Sequence, residues 1–255
     1  MSQEQKDYCF CTLALGKKYR LLTQQLAQDL EKYSPGTYLV IYTDEPQDFS
    51  QTHNTLAFKY QQQGILHCYH DRRFVIEKAL SKFPVAIHID ADTKILSNVP
   101  EITHTSGIVG RQENLLEHVK KYSPERLPYI EKIASKLDIP LENASFVGES
   151  LYIVGRDDGK ETDFIKYWGM IGSYLELHRI HAGDGNAIGL AAAKVGWTIN
   201  SESWSGLHQV TKHFDASHTP EPKNWVKNLR RRVGYHYRFN KARLTALQKF
   251  DFYYK

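Results

Sequence analysis

No stretch of this 255-residue chain approaches the roughly 18 consecutive apolar residues of a membrane-spanning helix. The first ten residues, MSQEQKDYCF, lack a basic stretch running into an apolar one, so no secretory signal is expected and the chain reads as cytoplasmic. Cysteine is scarce. Cys9, Cys11 and Cys68 are odd in number, which predicts buried free thiols in a reducing compartment, and no fourth ligand can be placed for a zinc site. Glycine is thin where a phosphate-cradling loop would need it: ALGKKYR, Ala14 to Arg20, carries one. That argues against a nucleotidyltransferase. Internal repeats and low-complexity linkers are absent too. With 41% hydrophobic residues, the chain is long enough to bury a real core.

Charge is unevenly spread. From Lys223 to Lys255 there are ten Lys/Arg and one acid, a net +9, which leaves −5 for the rest of the chain. Trp225, Tyr235, Tyr237, Tyr253 and Tyr254 lie in the same segment. A basic, aromatic end suits an anionic partner, and peripheral contact with an anionic membrane is the expectation. Nucleic-acid binding would account for this segment alone.

Upstream, periodicity organises the chain. YCFCTLAL, Tyr8 to Leu15, is a buried-strand pattern. A helix follows with Tyr19, Leu22, Leu26, Leu30 and Tyr33 three or four apart. TYLVIYTD, Thr37 to Asp44, is a second β-rich run. HDRRFVIEKALSKF, His70 to Phe83, is helical, and Pro84 closes it before the strand PVAIHIDADTKIL. Alternating β, α, β, α, β over the first hundred residues predicts an α/β fold with a mostly parallel sheet flanked by helices. In the second half, helices are expected over Ser123–Asp138, Thr162–Arg179 and the alanine-rich stretch after HAGDGN. A strand is expected over Ala144–Arg156 and a short one at Trp197–Asn200.

Asp90 and Asp92 end the strand at Val85–Ile89. Two residues apart on extended backbone, they project to similar sides and repel each other unless a cation lies nearby. Hard divalent ions such as Mn²⁺ or Mg²⁺ take oxygen ligands and keep positions open for phosphate oxygens. The pair therefore predicts a metal–diphosphate site beyond the carboxyl end of a parallel sheet, where such sheets bind ligands. Two further carboxylates stand out. Asp184 lies between glycines at an expected helix start, where the helix end would hold its pKa down. Glu149 lies inside an otherwise apolar strand, where it is costly unless partnered. These are the two catalytic candidates. Asn186, His181, Trp197 and Trp204 are candidates to bind a substrate, with core packing favoured for Trp197.

FPVAIHIDADTKIL, with VIYTDEP upstream and DRRFVIEKAL directly before it, resembles the nucleotide-binding half of GT-A-fold glycosyltransferases. The likeness is to families 6 and 8, those of the blood-group and galactosyl transferases and glycogenin, and runs from Tyr8 to about Pro100. It implies a GT-A-like domain over 1–222, with a nucleotide-binding half over 1–100, an acceptor half over 101–222, and a separate basic segment over 223–255. It implies a transferase moving sugar from a nucleotide-sugar, UDP-linked by preference, to a saccharide or lipid-linked hydroxyl. Asp92 would be the main metal ligand, with Asp90 contacting the ribose or donor sugar and the metal. Thr12, Ala14, Tyr42 and Asp44 would line the uridine pocket, and Arg72 would lie near the donor. The family-8 pattern H-F-x-G-x-x-K-P-W is matched loosely by HFDASHTPEPKNW, His213 to Trp225, which is four residues longer. His213, or else His218, would be the third metal ligand, and Lys223 would touch phosphate. The likeness favours retention of anomeric configuration. A D-x-D phosphatase, a nucleotidyltransferase and a non-catalytic sugar or nucleotide binder are the competing readings.

Overall fold

The computed structural model describes residues 6–102, 106–216 and 225–255. His218 and Lys223, expected as metal and phosphate contacts, lie outside the described residues.

The first strand, β1 (Tyr8–Ala14), is buried on both faces. Helix α1 (Lys17–Tyr33) turns Leu26, Ala27 and Leu30 inward, as the three–four spacing predicts. Strand β2 (Tyr38–Thr43) runs parallel to β1, and β3 (Thr55–Lys59) runs parallel to β2. β3 is an element the sequence reading did not separate. Helix α2 (Arg72–Leu80) follows a short 3-10 turn at Tyr69–Asp71 and buries Val75, Ile76 and Ala79. It leads into β4 (Val85–Ile89), all five residues buried, which pairs parallel with β1.

Beyond β4 the direction changes. β7 (Ser145–Gly155) pairs antiparallel with β4, and β6 (Gly107–Asn114) antiparallel with β7. The six-stranded order is β3-β2-β1-β4-β7-β6, mostly parallel. A separate two-stranded ribbon pairs β5 (Thr93–Ile95) with β8 (Thr211–His213), antiparallel.

Helices cover both faces of the sheet. On one face, Cys9, Cys11, Val40 and Tyr152 pack against α2, α3 (Leu115–Tyr122), α4 (Leu127–Lys136), α5 (Lys160–Leu177) and α6 (Asp184–Lys194). On the other, Phe10, Ile41, Ile87 and Ile153 pack against α1 and α7 (Glu202–Val210). Alternate side chains of one strand thus feed two cores. Cys9 and Cys11 are buried free thiols on one face, as their spacing predicts. The basic segment forms α8 (Trp225–Ala246) and the short α9 (Phe250–Tyr254). The strand expected at Trp197–Asn200 is reduced to one parallel bridge between Asn200 and Val109. Trp197 packs on Phe164 and donates to Asp157 at 2.7 Å, so its role is in the core. The helix expected from Ser123 opens with a 3-10 turn at Pro124–Arg126 before α4.

Glu176 is a buried acid on α5 whose Oε1 accepts from the Ile65 amide at 2.8 Å. Burial pushes its carboxyl up to about 7, against the pull of that hydrogen bond. The folded chain therefore holds a proton that the unfolded chain releases near pH ~4.3. This contribution to stability is complete below that value and lost as pH rises through about 7. Glu176→Gln keeps the acceptor for Ile65 and cannot ionise. Urea unfolding of the two proteins is expected to coincide at about pH 4 and below and to favour the variant at about pH 8, by on the order of 3 kcal/mol. An offset that stays constant across that range would show that Glu176 ionises alike in both states.

Candidate metal centre and buried carboxylate cluster

The carboxyl ends of β1, β2 and β4 meet at one edge of the sheet, because the three strands are parallel and in register. Asp90 follows β4 directly. Its amide donates to the Ser150 carbonyl, and its own carbonyl accepts from the Thr93 amide at 3.0 Å, closing a tight turn. That turn directs Asp92 and leads into β5. The β5–β8 pairing sets Thr93 opposite His213, and the Phe214 amide donates to the Asp92 carbonyl.

His213 is thereby carried to the aspartates across more than a hundred residues of chain. Its Nε2 lies 3.1 Å from Asp92 Oδ1 and 3.7 Å from Asp90 Oδ2. One ligand atom from each of Asp90, Asp92 and His213 falls within 4.8 Å of the others. Two carboxylates and an imidazole make a donor set able to hold a divalent metal ion. Burial would raise Asp92, but hydrogen bonds from His213 and the Ala216 amide (2.6 Å) outweigh it and lower its pKa. The bond to Asp92 raises His213 in turn.

Arg72, the first residue of α2, reaches the same edge from behind. Its Nη2 donates to Asp90 Oδ1 at 2.6 Å and its Nη1 to Asp184 Oδ2 at 2.8 Å. Burial alone would lower the guanidinium's pKa. The two carboxylates reverse this and hold it charged. They benefit equally: against the cost of burial, Arg72 and the His88 hydrogen bond hold Asp90 at about 2. Asp184 is wholly buried, yet Arg72 keeps it below the ordinary carboxylate range.

Asp184 opens α6, and Gly183 before it takes a positive φ of 83°. The helix is pressed against β7 so tightly that a Cβ on Gly189 would strike the Ser145 carbonyl, and one on Gly185 the Val147 carbonyl. This close approach aligns Glu149 of β7 with the helix start. Glu149 Oε1 accepts from the Gly185 amide at 3.0 Å. Burial and then the Asp184 charge drive the Glu149 pKa well up, so it keeps a proton that it shares with Asp184. The partner that a carboxyl in an apolar strand requires is thus another carboxyl.

Glu149 also lines a cavity of about 290 Å³, together with Arg111, Phe146, Leu151, Trp204 and His208. Trp204 stacks on His208 and donates to the Leu151 carbonyl. This opening lies on the β6–β7 side, whereas the metal-ligand cluster lies on the β5–β8 side.

The residues predicted to line a nucleoside pocket belong to β1 and β2 or follow them. Thr12 is buried and its hydroxyl has no protein partner. The Ala14 carbonyl accepts from Thr43 Oγ1. Tyr42 stacks on Tyr60, ring centroids 4.9 Å apart. Asp44 receives the Gly16 amide at 3.0 Å and both oxygens accept from Arg20 at 2.8 Å. Asn186 is buried in α6, and the His181 ring packs edge-on against Tyr235 of α8. Sequence reasoning missed the Arg72 bridge and His88; a buried arginine at a helix start was the one signal available for the first.

Removing one partner of a buried ion pair costs about 3–5 kcal/mol. Arg72→Met is expected to destabilise by about that amount, and Arg72→Met with Asp184→Asn by much less than the sum of the singles. Additive losses in a denaturant double-mutant cycle would show that the two side chains do not interact. No protein-family model matches this chain, and no curated protein matches it either.

Proposed function

We propose that the chain is a metal-dependent glycosyltransferase with a GT-A-like fold, taking sugar from a nucleotide-sugar, UDP-linked by preference, to a hydroxyl acceptor. The observation that carries this reading is the convergence of Asp90, Asp92 and His213 at the carboxyl end of a parallel strand. It is supported by the switch to antiparallel pairing at β7, which sets a second group of carboxylates beside the first.

Asp90, Asp92 and His213 would hold Mn²⁺ or Mg²⁺. Such an ion would supply positive charge to the departing diphosphate, which takes the electron pair of the C1–O bond and the proton of the acceptor hydroxyl as that oxygen bonds C1. Thr12, Ala14, Tyr42 and Asp44 flank the nucleoside side. Asp44, fixed by Arg20 and the Gly16 amide, is a preorganised acceptor for a base N–H. Arg72 keeps Asp90 and Asp184 ionised and fixed. Asp184, wholly buried against Arg72, would set a negative charge behind the reacting face and act through the proton it shares with Glu149. Glu149 holds the shared proton at the floor of the cavity and would hydrogen-bond the incoming hydroxyl. The aromatic walls at Phe146 and Trp204 suit the apolar faces of a saccharide.

Thermal unfolding with UDP, GDP or no nucleotide, with and without Mn²⁺, tests the donor site. A ligand at a hundred times its dissociation constant stabilises by about 2.7 kcal/mol, or roughly 5–10 °C for a chain of this size. The shift is expected to need both Mn²⁺ and UDP and to vanish in Asp92→Asn. No shift with any pair would overturn the reading. Asp184→Asn is expected to keep the Mn²⁺–UDP shift and to lose sugar release from the donor; full turnover would move the role to Glu149.

A further inference from the structure

Helix α8 turns opposite faces to the protein and to solvent. Tyr235, Arg238, Phe239, Ala242 and Ala246 face the domain; Arg238 donates twice to the Ile65 carbonyl, at 3.1 and 3.0 Å. Leu229, Val233, Tyr237 and Leu244, spaced four, four and seven apart, fall on the opposite face. All four are more than half exposed, from 52% at Leu229 to 68% at Leu244. Nine of the thirteen large apolar side chains that stand exposed among the described residues belong to 225–255, so this surface differs from the rest of the molecule.

Helical spacing places Arg230 and Lys241 along one side of that stripe, and Arg232 and Arg243 along the other; all four are exposed. Trp225, 76% exposed, starts the helix. An apolar ridge about 22 Å long, edged by cations on both flanks, matches the boundary of an anionic bilayer. The ridge enters the acyl region, long basic stems cover its edges, and the charges meet headgroup phosphates. Two copies joined through this face would bring arginine rows against arginine rows. A polyanion such as RNA would leave the ridge without a partner.

We propose that the outer face of α8 docks this protein on an anionic lipid surface. The proposal uses nothing of the metal cluster, so either can fail alone. The full chain would be sedimented with vesicles of phosphatidylcholine alone and of phosphatidylcholine with phosphatidylglycerol. Binding is expected only with the anionic lipid. Val233→Asp with Leu244→Asp, both exposed, is expected to keep the far-ultraviolet circular dichroism spectrum and weaken partitioning by about tenfold or more. Arg232→Glu with Arg243→Glu, which leaves the ridge intact, is expected to weaken it comparably. Equal partitioning of the ridge variant and wild type would overturn the proposal. So would equal binding to neutral vesicles, or loss of vesicle binding to competing RNA with the ridge variant still binding that RNA. A wild-type dimer that the ridge variant converts to monomer, without loss of vesicle binding, would assign the face to a second copy instead.

Discussion

The arrangement at the sheet edge depends on one guanidinium. Asp90 and Asp184 come from elements nearly a hundred residues apart, and both are taken largely out of water. Left alone, they would take up protons or push apart. Arg72 donates one nitrogen to each, a fork that a lysine could not reproduce. Its single charge is set against two carboxylates, and the proton on Glu149 keeps a third negative charge from joining them. Asp92 is handled differently: at the more exposed margin His213 hydrogen-bonds it, and that bond raises the imidazole's pKa. The centre thus has a fixed inner half, where charge is locked by burial, and an outer half, where an imidazole proton and a metal ion would compete for the same place.

The fold serves this arrangement through close approach. Parallel pairing of β1, β2 and β4 brings three strand ends to one edge. Antiparallel β7 then delivers Glu149 along that edge, at a distance set by how closely α6 can lie on the strand. Gly185 and Gly189 set that distance. A side chain at either would lift the helix and carry Asp184 away from Arg72. The outer half is held by the ribbon of β5 and β8, in which each strand has only three residues. Its register, with two hydrogen bonds from the Phe214 and Ala216 amides to Asp92, decides where His213 points.

Much of the inner sheet was legible in the sequence, since β1, β2 and β4 are apolar runs long enough to stand out and α1 repeats every three or four residues. Asp90 and Asp92 were legible because charge at the end of such a run needs a reason. Glu149 was found by the same argument. The rest was hidden for identifiable causes. β3 is only partly buried, and β5 and β8 are short and carry polar residues, so none of them shows a period. The Arg72–Asp184 pair spans 112 positions, and no single-chain pattern encodes a partner at that range. At Trp197–Asn200 an aromatic, β-branched stretch suggested a strand, but its burial against Phe164 and the Asp157 hydrogen bond serve packing instead.

The basic helix is joined to the centre by more than proximity. The loop over 61–65 is gripped from three sides. Asp71 accepts the amides of Gln63 and Gly64, Glu176 accepts the Ile65 amide, and Arg238 of α8 donates to the Ile65 carbonyl. Asp71 immediately precedes Arg72, so the turn that orders this loop also starts the helix carrying the bridging guanidinium. On the same inner face of α8, Tyr235 packs against His181, which lies three residues before Asp184. A helix held at Ile65 and His181 is tied to two segments that lead into the carboxylate cluster. Docking through its outer face would therefore fix the orientation of the carboxylate cluster relative to the lipid surface.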